Sequence, residues 1–273
     1  MKKTTLLSIA SAVLLSACGS DSDPAPAAPS LTFQGNGAAA GGAFFNGPHA
    51  GQTVRAALLD GATVVDLQKA TIAATGTDPA FSFTFSPVDR AKAYTVEYWI
   101  DSNFGLTAPA GAGECNPPAN DHQWSVAIPA GQLTLKDTHR PGAFTPVCGT
   151  FTFPLTFQAD ASFVAAHAGK GFTAALVRGT ETAALETQTG TIAAAPATTA
   201  FSVTFAKTLV IGEPYSVKLW VDVNGNATCD GPALAQDHAW SVDVQTSLAG
   251  HPTAAVSYAH NTSFAAGVCS FFP

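Results

Sequence analysis

The chain has 273 residues, in which 12 Lys and Arg face 19 Asp and Glu, for a formal net charge of −7. Only 11% of the residues are charged and acidic ones predominate, which argues against nucleic-acid binding and against a polybasic membrane patch. The length and the 47% hydrophobic content allow two ordinary domains, each with its own core.

The first residues form a secretory leader. Lys2 and Lys3 precede an apolar run from Leu6 to Leu15. A run of this length is typical of a signal peptide and is too short to cross a bilayer as a helix. We therefore predict that residues 1–17 are a signal peptide.

The leader ends in Leu-Ser-Ala-Cys at 15–18 and resembles the lipobox of bacterial lipoproteins. The resemblance implies that Cys18 is diacylated and anchors the chain to a membrane of the cell envelope. Gly19 in the next position is similar to the residues that direct Gram-negative lipoproteins to the outer membrane. The small, proline-rich residues 18–30 are expected to form the lipidated, flexible tether.

The rest of the chain contains two copies of one pattern, which we predict as domain 1 (31–155) and domain 2 (156–273). Three sequence motifs define the repeat. FSFTF at 81–85 recurs as FSVTF at 201–205, and YTVEYWID at 94–101 recurs as YSVKLWVD at 215–222. DHxWSV occurs at 121–126 and again at 237–242. The period is too long for a solenoid unit and indicates tandem domains.

Within each copy, apolar and polar residues alternate over short runs, as FSFTF at 81–85 shows. Turn sequences such as Asp60-Gly61 and Pro141-Gly142 separate these runs. Six or seven such strands per copy predict an all-β chain of two antiparallel, immunoglobulin-like β-sandwiches, with a small barrel as the alternative.

Apart from Cys18, the chain has two cysteines in each copy, which are Cys115 and Cys148 in the first and Cys229 and Cys269 in the second. Export would place them in an oxidising compartment, where disulfides persist. We expect one disulfide per copy, joining the long loop to the last strand.

Six of the seven histidines fall into three aligned pairs, which are His49 with His167, His122 with His238, and His139 with His260. Strand directions, counted along each copy, place its three histidines at one end of the sandwich, near the loop after Asp101 or Asp222. Three neutral imidazoles with a carboxylate would suit Zn²⁺ or Cu²⁺. The alternative is that each histidine hydrogen-bonds a strand end.

The second loop carries four side chains with oxygen ligands at alternating positions, which are Asp222, Asn224, Asn226 and Asp230. The spacing resembles the calcium loops of dockerin and thrombospondin type 3 repeats, and implies calcium as a cofactor of domain 2. Ala227 stands where those loops have glycine, and the first copy keeps only Asp101 and Asn103. An Asx-rich turn that satisfies its own backbone is the alternative.

The sequence carries no nucleophile elbow, HExxH helix or phosphate loop, so we predict no enzymatic activity. The loop at 222–226, the Asp-His-x-Trp at 237–240 and the His-Asn-Thr at 260–262 are similar to a surface domain of exported bacterial proteins without assigned activity. We expect a non-catalytic binding or structural module whose partner is an envelope protein, a glycan or a small ligand. The alternative is a periplasmic copper- or zinc-handling protein that uses the histidine clusters.

Overall fold

The computed structural model describes the chain in nine ranges, which are 28–38, 43–103, 114–116, 120–194, 201–230, 236–244, 246, 255–265 and 267–272. The predicted signal peptide, Cys18 and the tether up to residue 27 lie outside the described residues. Within the described ranges, the helices are too short to span a bilayer.

Within its described residues, the first repeat has seven strands in two sheets. They are β1 (Leu31–Gly35), β2 (Thr53–Asp60), β3 (Thr63–Thr71), β4 (Phe81–Phe85), β5 (Tyr94–Ile100), β6 (His122–Ile128) and β7 (Thr134–Asp137). One sheet has the order β4-β1-β7 and the other β3-β2-β5-β6.

The second repeat follows a four-residue helix, α1 (Cys148–Phe151). Its strands are β8 (Thr152–Ala159), β9 (Gly171–Arg178), β10 (Glu186–Thr191), β11 (Phe201–Val210), β12 (Tyr215–Asp222), β13 (His238–Val244) and β14 (Ala255–Tyr258). The sheet orders β11-β8-β14 and β10-β9-β12-β13 reproduce those of the first repeat strand for strand.

The predicted fold class, two tandem β-sandwiches, is confirmed. The pairs within both sheets are antiparallel, with one parallel exception in each repeat: β1 runs parallel to β7, and β8 runs parallel to β14. These pairs place the first and last strands of each repeat side by side, so both ends of a repeat belong to one sheet.

The core of the first sandwich is aromatic. The alternation in β1 and β4 turns Phe33 and Phe83 inward, where they meet Tyr98 of β5 and Trp124 of β6. The rings of Tyr98 and Trp124 stack with their centroids 5.0 Å apart. Burial of side chains of this size is a main source of stability for a small sandwich.

The expected position of the cysteines in the strand order is wrong. Cys148 begins α1, and Cys269 begins a single 3₁₀ turn, Cys269–Phe271, so neither lies on a last strand. In the first repeat, Pro141-Gly142 and Pro146 interrupt the extended chain between β7 and the cysteine. The predicted domain boundary at 155/156 falls inside β8, which pairs with strands of the second repeat.

A second helix, α2 (Ala161–His167), was not predicted from the sequence. Asp160 caps it, since its carboxylate accepts the backbone N–H of Phe163 at 3.0 Å. The helix occupies the connection between β8 and β9 and ends on His167.

The two sandwiches share an apolar interface. Ala57, Leu59 and Trp99 face outward from the first sandwich and belong to the same buried cluster as the core of the second. The ring of Trp99 meets that of Phe151, with centroids 6.3 Å apart. At the edge, a buried Arg55 forms an ion pair with Glu213 of the second repeat.

The repeat offers a matched test of this interface. Trp99 is fully buried between the sandwiches, whereas the equivalent Trp220 is partly exposed. We expect Trp99→Ala to lower the free energy of unfolding by about 3–5 kcal/mol and Trp220→Ala by less than about half of that. Urea denaturation measures both, and equal losses would contradict the interface.

Candidate metal centres in the two repeats

Three histidines of the first repeat come together at one end of the sandwich. His49 lies in the turn before β2, His122 begins β6, and His139 follows β7. His49 Nε2 lies 2.9 Å from His122 Nδ1 and 3.3 Å from His139 Nε2. One nitrogen from each ring falls within a group no wider than 4.8 Å. We call this group the first triad.

A hydrogen-bond chain fixes the tautomer of His49. Gln52 donates its amide Nε2–H to the carbonyl of Ser102 at 3.2 Å, which leaves Gln52 Oε1 as an acceptor. His49 Nδ1 lies 2.7 Å from that oxygen and must therefore carry the proton. The Nε2 of His49 consequently presents a bare lone pair to the other two histidines.

Two of the three histidines of the first triad are buried, and His122 is partly exposed. His49 and His139 are only 2% and 3% exposed. Burial is the main cause that lowers the pKa of His49 to about 4; the hydrogen bond that His49 donates to Gln52 opposes this shift, and the neighbouring His122 and His139 contribute to it. Burial also lowers the pKa of His122. These imidazoles are therefore neutral at neutral pH, the state in which they bind metals.

The second repeat brings its three histidines to the same end of its sandwich, but within the described residues only the first triad has one nitrogen of each ring within 4.8 Å of the others. His167 ends α2, His238 begins β13, and His260 follows β14. His167 Nε2 lies 2.8 Å from His238 Nδ1, and the rings of His167 and His260 have centroids 5.1 Å apart. We call these residues the second triad.

A backbone carbonyl fixes the tautomer of His167. Its Nδ1 lies 2.8 Å from the carbonyl oxygen of Phe163, which can only accept. As in the first repeat, Nε2 is the unprotonated nitrogen and faces the triad. Burial lowers the pKa of His167 to about 4. In addition, Nε2 of His260 is buried without a hydrogen-bond partner.

The third histidine of each triad is held by its backbone. His139 N–H donates to Asn36 Oδ1 and His260 N–H donates to Asp160 Oδ2, each at 3.1 Å. Asn36 and Asp160 are the residues that directly follow β1 and β8. The first strand of each repeat thus positions the residue that follows the last strand.

The aspartate of each Asp-His-x-Trp word is completely buried and ties down the long loop. In the first repeat, Asp121 accepts Ser102 N–H at 3.1 Å and Asn116 N–H at 2.8 Å. Burial raises the pKa of Asp121 to about 7, and the nearby charge of Asp101 adds to the effect.

The second repeat shows the same bonds. Asp237 accepts Val223 N–H at 3.0 Å and Asp230 N–H at 3.2 Å. In both repeats, one donor follows the loop's first aspartate and the other follows its cysteine. The aspartate therefore closes the loop and sets the position of the histidine beside it.

The tryptophan of each Asp-His-x-Trp motif packs beside the histidines of its triad. Trp124 donates its Nε1–H to the carbonyl of Arg140 at 3.3 Å, and Trp240 donates to the carbonyl of Asn261 at 3.1 Å. Each acceptor immediately follows the third histidine, so the indole ties that segment to the opposite sheet.

The predicted disulfides are present. Cys115 pairs with Cys148 and Cys229 with Cys269, with Cα atoms 5.5 and 5.1 Å apart. They close loops between residues separated by 33 and 40 positions. Crosslinks of this span stabilise by roughly 4 kcal/mol in the chain-entropy model.

The predicted calcium loop is folded on its own backbone. Asp222 accepts the N–H groups of Gly225, Asn226 and Ala227 at 2.7, 3.2 and 3.0 Å. Asn224 Oδ1 accepts Asn226 N–H at 3.0 Å, and Asn224 Nδ2 donates to Asp230 at 2.9 Å. These contacts match the Asx-rich turn, and calcium binding by the loop stays a prediction.

Four residues that hold the triads escaped the sequence analysis, namely Gln52, Phe163, Asn36 and Asp160. Asp160 carries a detectable signal, since an Asp three residues before Phe163 is typical of a helix cap. Gln52, three residues after His49, could also have been noticed. The carbonyl of Phe163 has no sequence signal because any residue supplies one.

Solved structures with a weak likeness to this chain include the following two, whereas no family model and no curated protein matches it. A leucine-rich repeat protein from Bacteroides thetaiotaomicron has 13% identity and a TM-score of 0.23; the match covers 86% of this chain and 26% of that protein. This chain thus spans about a quarter of that protein's length. A "putative cell adhesion protein" from Parabacteroides distasonis has 9% identity and a TM-score of 0.21, over 79% of each chain. Likenesses at this level carry no argument about function.

The lowered pKa of His167 predicts acid sensitivity. Between an unfolded-state pKa near 6.5 and a folded-state pKa of about 4, the unfolded chain binds a proton that the folded chain refuses. Stability is therefore complete above pH 6.5 and falls as the pH drops towards 4, by up to about 1.4 kcal/mol per pH unit. The raised pKa of Asp121 acts in the opposite direction.

The difference between wild type and His167→Asn isolates this effect, because Asn retains a donor for the carbonyl of Phe163. From pH 7.5 to 4.5, we expect denaturant titrations to show that the wild type loses about 2 kcal/mol more than the variant. Parallel pH profiles would show that His167 is not held neutral by the fold.

Proposed function

We propose that this protein is a binding protein of the bacterial cell envelope and that each of its two sandwiches binds one transition-metal ion through its histidine triad. One observation carries the proposal. In both repeats the same two ring nitrogens, Nε2 of the first histidine and Nδ1 of the second, converge to within 2.9 and 2.8 Å.

The spacing of the nitrogens suits a metal ion. Metal–imidazole bonds of about 2.0–2.1 Å put neighbouring ligand nitrogens roughly 3.3 Å apart in a tetrahedral site. The separations of 2.9 and 3.3 Å around His49 Nε2 need only small ring rotations to reach that value. Imidazole donors suit zinc and copper.

The outer hydrogen bonds also fit a metal ligand. A metal-binding histidine usually donates its other N–H to a carbonyl or carboxylate, which fixes the ring and its tautomer. Gln52 Oε1 does this for His49, and the carbonyl of Phe163 does it for His167. A side-chain amide in one repeat and a backbone carbonyl in the other thus leave the same nitrogen, Nε2, with its lone pair facing the triad.

The two triads differ in how their nitrogens are hydrogen-bonded. In the first, the single lone pair of His49 Nε2 faces nitrogens of both His122 and His139. In the second, His260 Nε2 is buried without a partner, at a cost of about 1–3 kcal/mol. A bound cation would satisfy all of these nitrogens.

The proposal includes the lipid anchor on Cys18 and attachment to the outer membrane, and it assigns binding rather than catalysis. The leader supports the anchor, and the paired cysteines support an oxidising compartment. The protein would then hold metal ions at the envelope surface.

Metal stoichiometry tests the binding sites. The purified chain, dialysed against zinc or copper and then analysed by elemental mass spectrometry, is expected to hold two ions. His49→Asn and His167→Asn should each leave one ion, and the double variant none, since each substitution removes Nε2 while keeping a donor at the Nδ1 position.

The seventh histidine provides the control, because His251 has no aligned histidine in the first repeat. His251→Asn should still bind two ions. Unchanged stoichiometry in the double variant, or no bound metal in the wild type, would contradict the proposed function.

The anchor has its own test. Cys18→Ser removes the acylated thiol, so we expect the protein to move from the membrane fraction of its host to the soluble fraction. Retention of the variant in washed membranes would contradict lipid anchoring without bearing on the triads.

A further inference from the structure

The walls of both triads are aromatic and equivalent. In the first repeat, the ring of Phe144 stacks on His122 with centroids 4.5 Å apart, and Trp124 packs beside it. In the second, Phe264 stacks on His238 at 4.4 Å. Phe45 closes the first triad against His139, and Phe163 closes the second against His167.

The carboxylates of Asp121 and Asp137, which lie near the first triad in sequence, are hydrogen-bonded to other groups. Asp121 directly precedes His122 and Asp137 lies two residues before His139, but Asp121 accepts two backbone N–H groups. Asp137 accepts the hydroxyl of Tyr98 at 2.6 Å and pairs with Arg140 at 2.8 Å. Within the described part of the chain, the group of converging ligand atoms consists of histidines alone.

The second triad also has carboxylates nearby, and they are engaged as well: Asp237, which directly precedes His238, accepts two backbone N–H groups. Asp160 Oδ1 accepts from the hydroxyl of Ser162 at 2.6 Å and from Phe163 N–H at 3.0 Å. Asp160 Oδ2 accepts the backbone N–H of His260. Both triads therefore offer imidazole nitrogens flanked by aromatic rings, and the neighbouring carboxylates are engaged with other donors.

This setting discriminates between ions by charge. The cost of transferring an ion from water to a weakly polar interior grows with the square of its charge, and a dication without a compensating anion bears it in full. Zinc with three protein ligands also keeps a fourth position for water, whereas monovalent copper is stable with two or three ligands.

We propose that the triads select monovalent copper over divalent zinc and divalent copper. This inference rests on the proposed function, because it specifies the ion taken by the same sites. Three imidazole nitrogens supply the full coordination of such an ion, whereas zinc with three protein ligands keeps a fourth position for water.

Competition experiments test the selectivity with the whole purified chain. Cu(I), kept reduced by ascorbate without oxygen so that the disulfides stay intact, is titrated against a coloured Cu(I) chelator. Zinc is titrated against a zinc chelator at the same pH. We expect two Cu(I) per chain, bound at least 100-fold more tightly than zinc, and loss of both in the His49→Asn/His167→Asn double variant.

Substitution of the phenylalanines that stack on the triads provides a second test of the selectivity. Phe144→Asp and Phe264→Asp place a carboxylate beside each triad and should lower the preference for Cu(I) over zinc at least tenfold. Phe144→Leu and Phe264→Leu remove the ring without adding charge and should largely retain the preference, which separates charge from packing damage.

The outcomes are distinct. Zinc or divalent copper bound more tightly than Cu(I) at both triads would overturn the selectivity and leave the proposed function intact. No binding of any of these ions would overturn both. Cu(I) binding that survives in the double histidine variant would show that the ion sits elsewhere and would also overturn both.

Discussion

The buried carboxylate before β6 and before β13 is the interaction on which each site depends. A buried carboxylate is costly unless donors surround it, so Asp121 and Asp237 must keep their two backbone N–H partners. Those partners lie at the two ends of the long loop, one beside the strand end and one beside the disulfide. The loop is thus closed where the second histidine of each triad enters its strand.

The two repeats present the same nitrogen of their first histidine to the triad, but they hold that histidine in different local structures. The first holds its leading histidine in a turn against a side-chain amide, and the second holds it at the end of a helix against a backbone carbonyl. The surrounding backbone differs, yet the nitrogen presented to the triad is the same. What the repeats share is a requirement for an unprotonated Nε2, and a metal ligand has that requirement.

The sandwiches explain why the third histidine can join. Because β1 runs parallel to β7 and β8 to β14, the residue that leaves the first strand lies beside the residue that leaves the last. Asn36 and Asp160 therefore reach the backbone of His139 and His260. Each triad draws ligands from both sheets, so an ion bound there would clamp the sandwich at one end.

Much of this could be predicted from the sequence, because alternation and turn residues define the strands and the repeat marks which residues recur. The convergence of the histidines could be predicted by counting strand directions from His49 onward. Strand β1 precedes His49, so its presence does not change the directions of the later strands. The parallel pairs could not be predicted, since alternation carries no direction. Helix α2 was missed because its seven residues are too few for a helical period. The role of the Phe163 carbonyl as a hydrogen-bond acceptor could not be predicted, because only the tertiary structure shows which backbone carbonyls are available to a side chain.

The most direct test of this account is the protonation state of the histidine rings in the metal-free protein, measured by long-range ¹H–¹⁵N NMR at neutral pH. The account predicts that His49 and His167 both carry the proton on Nδ1 and show the shift of an unprotonated nitrogen at Nε2. A proton on Nε2 of either ring would contradict the claim that the fold presents these nitrogens as metal ligands.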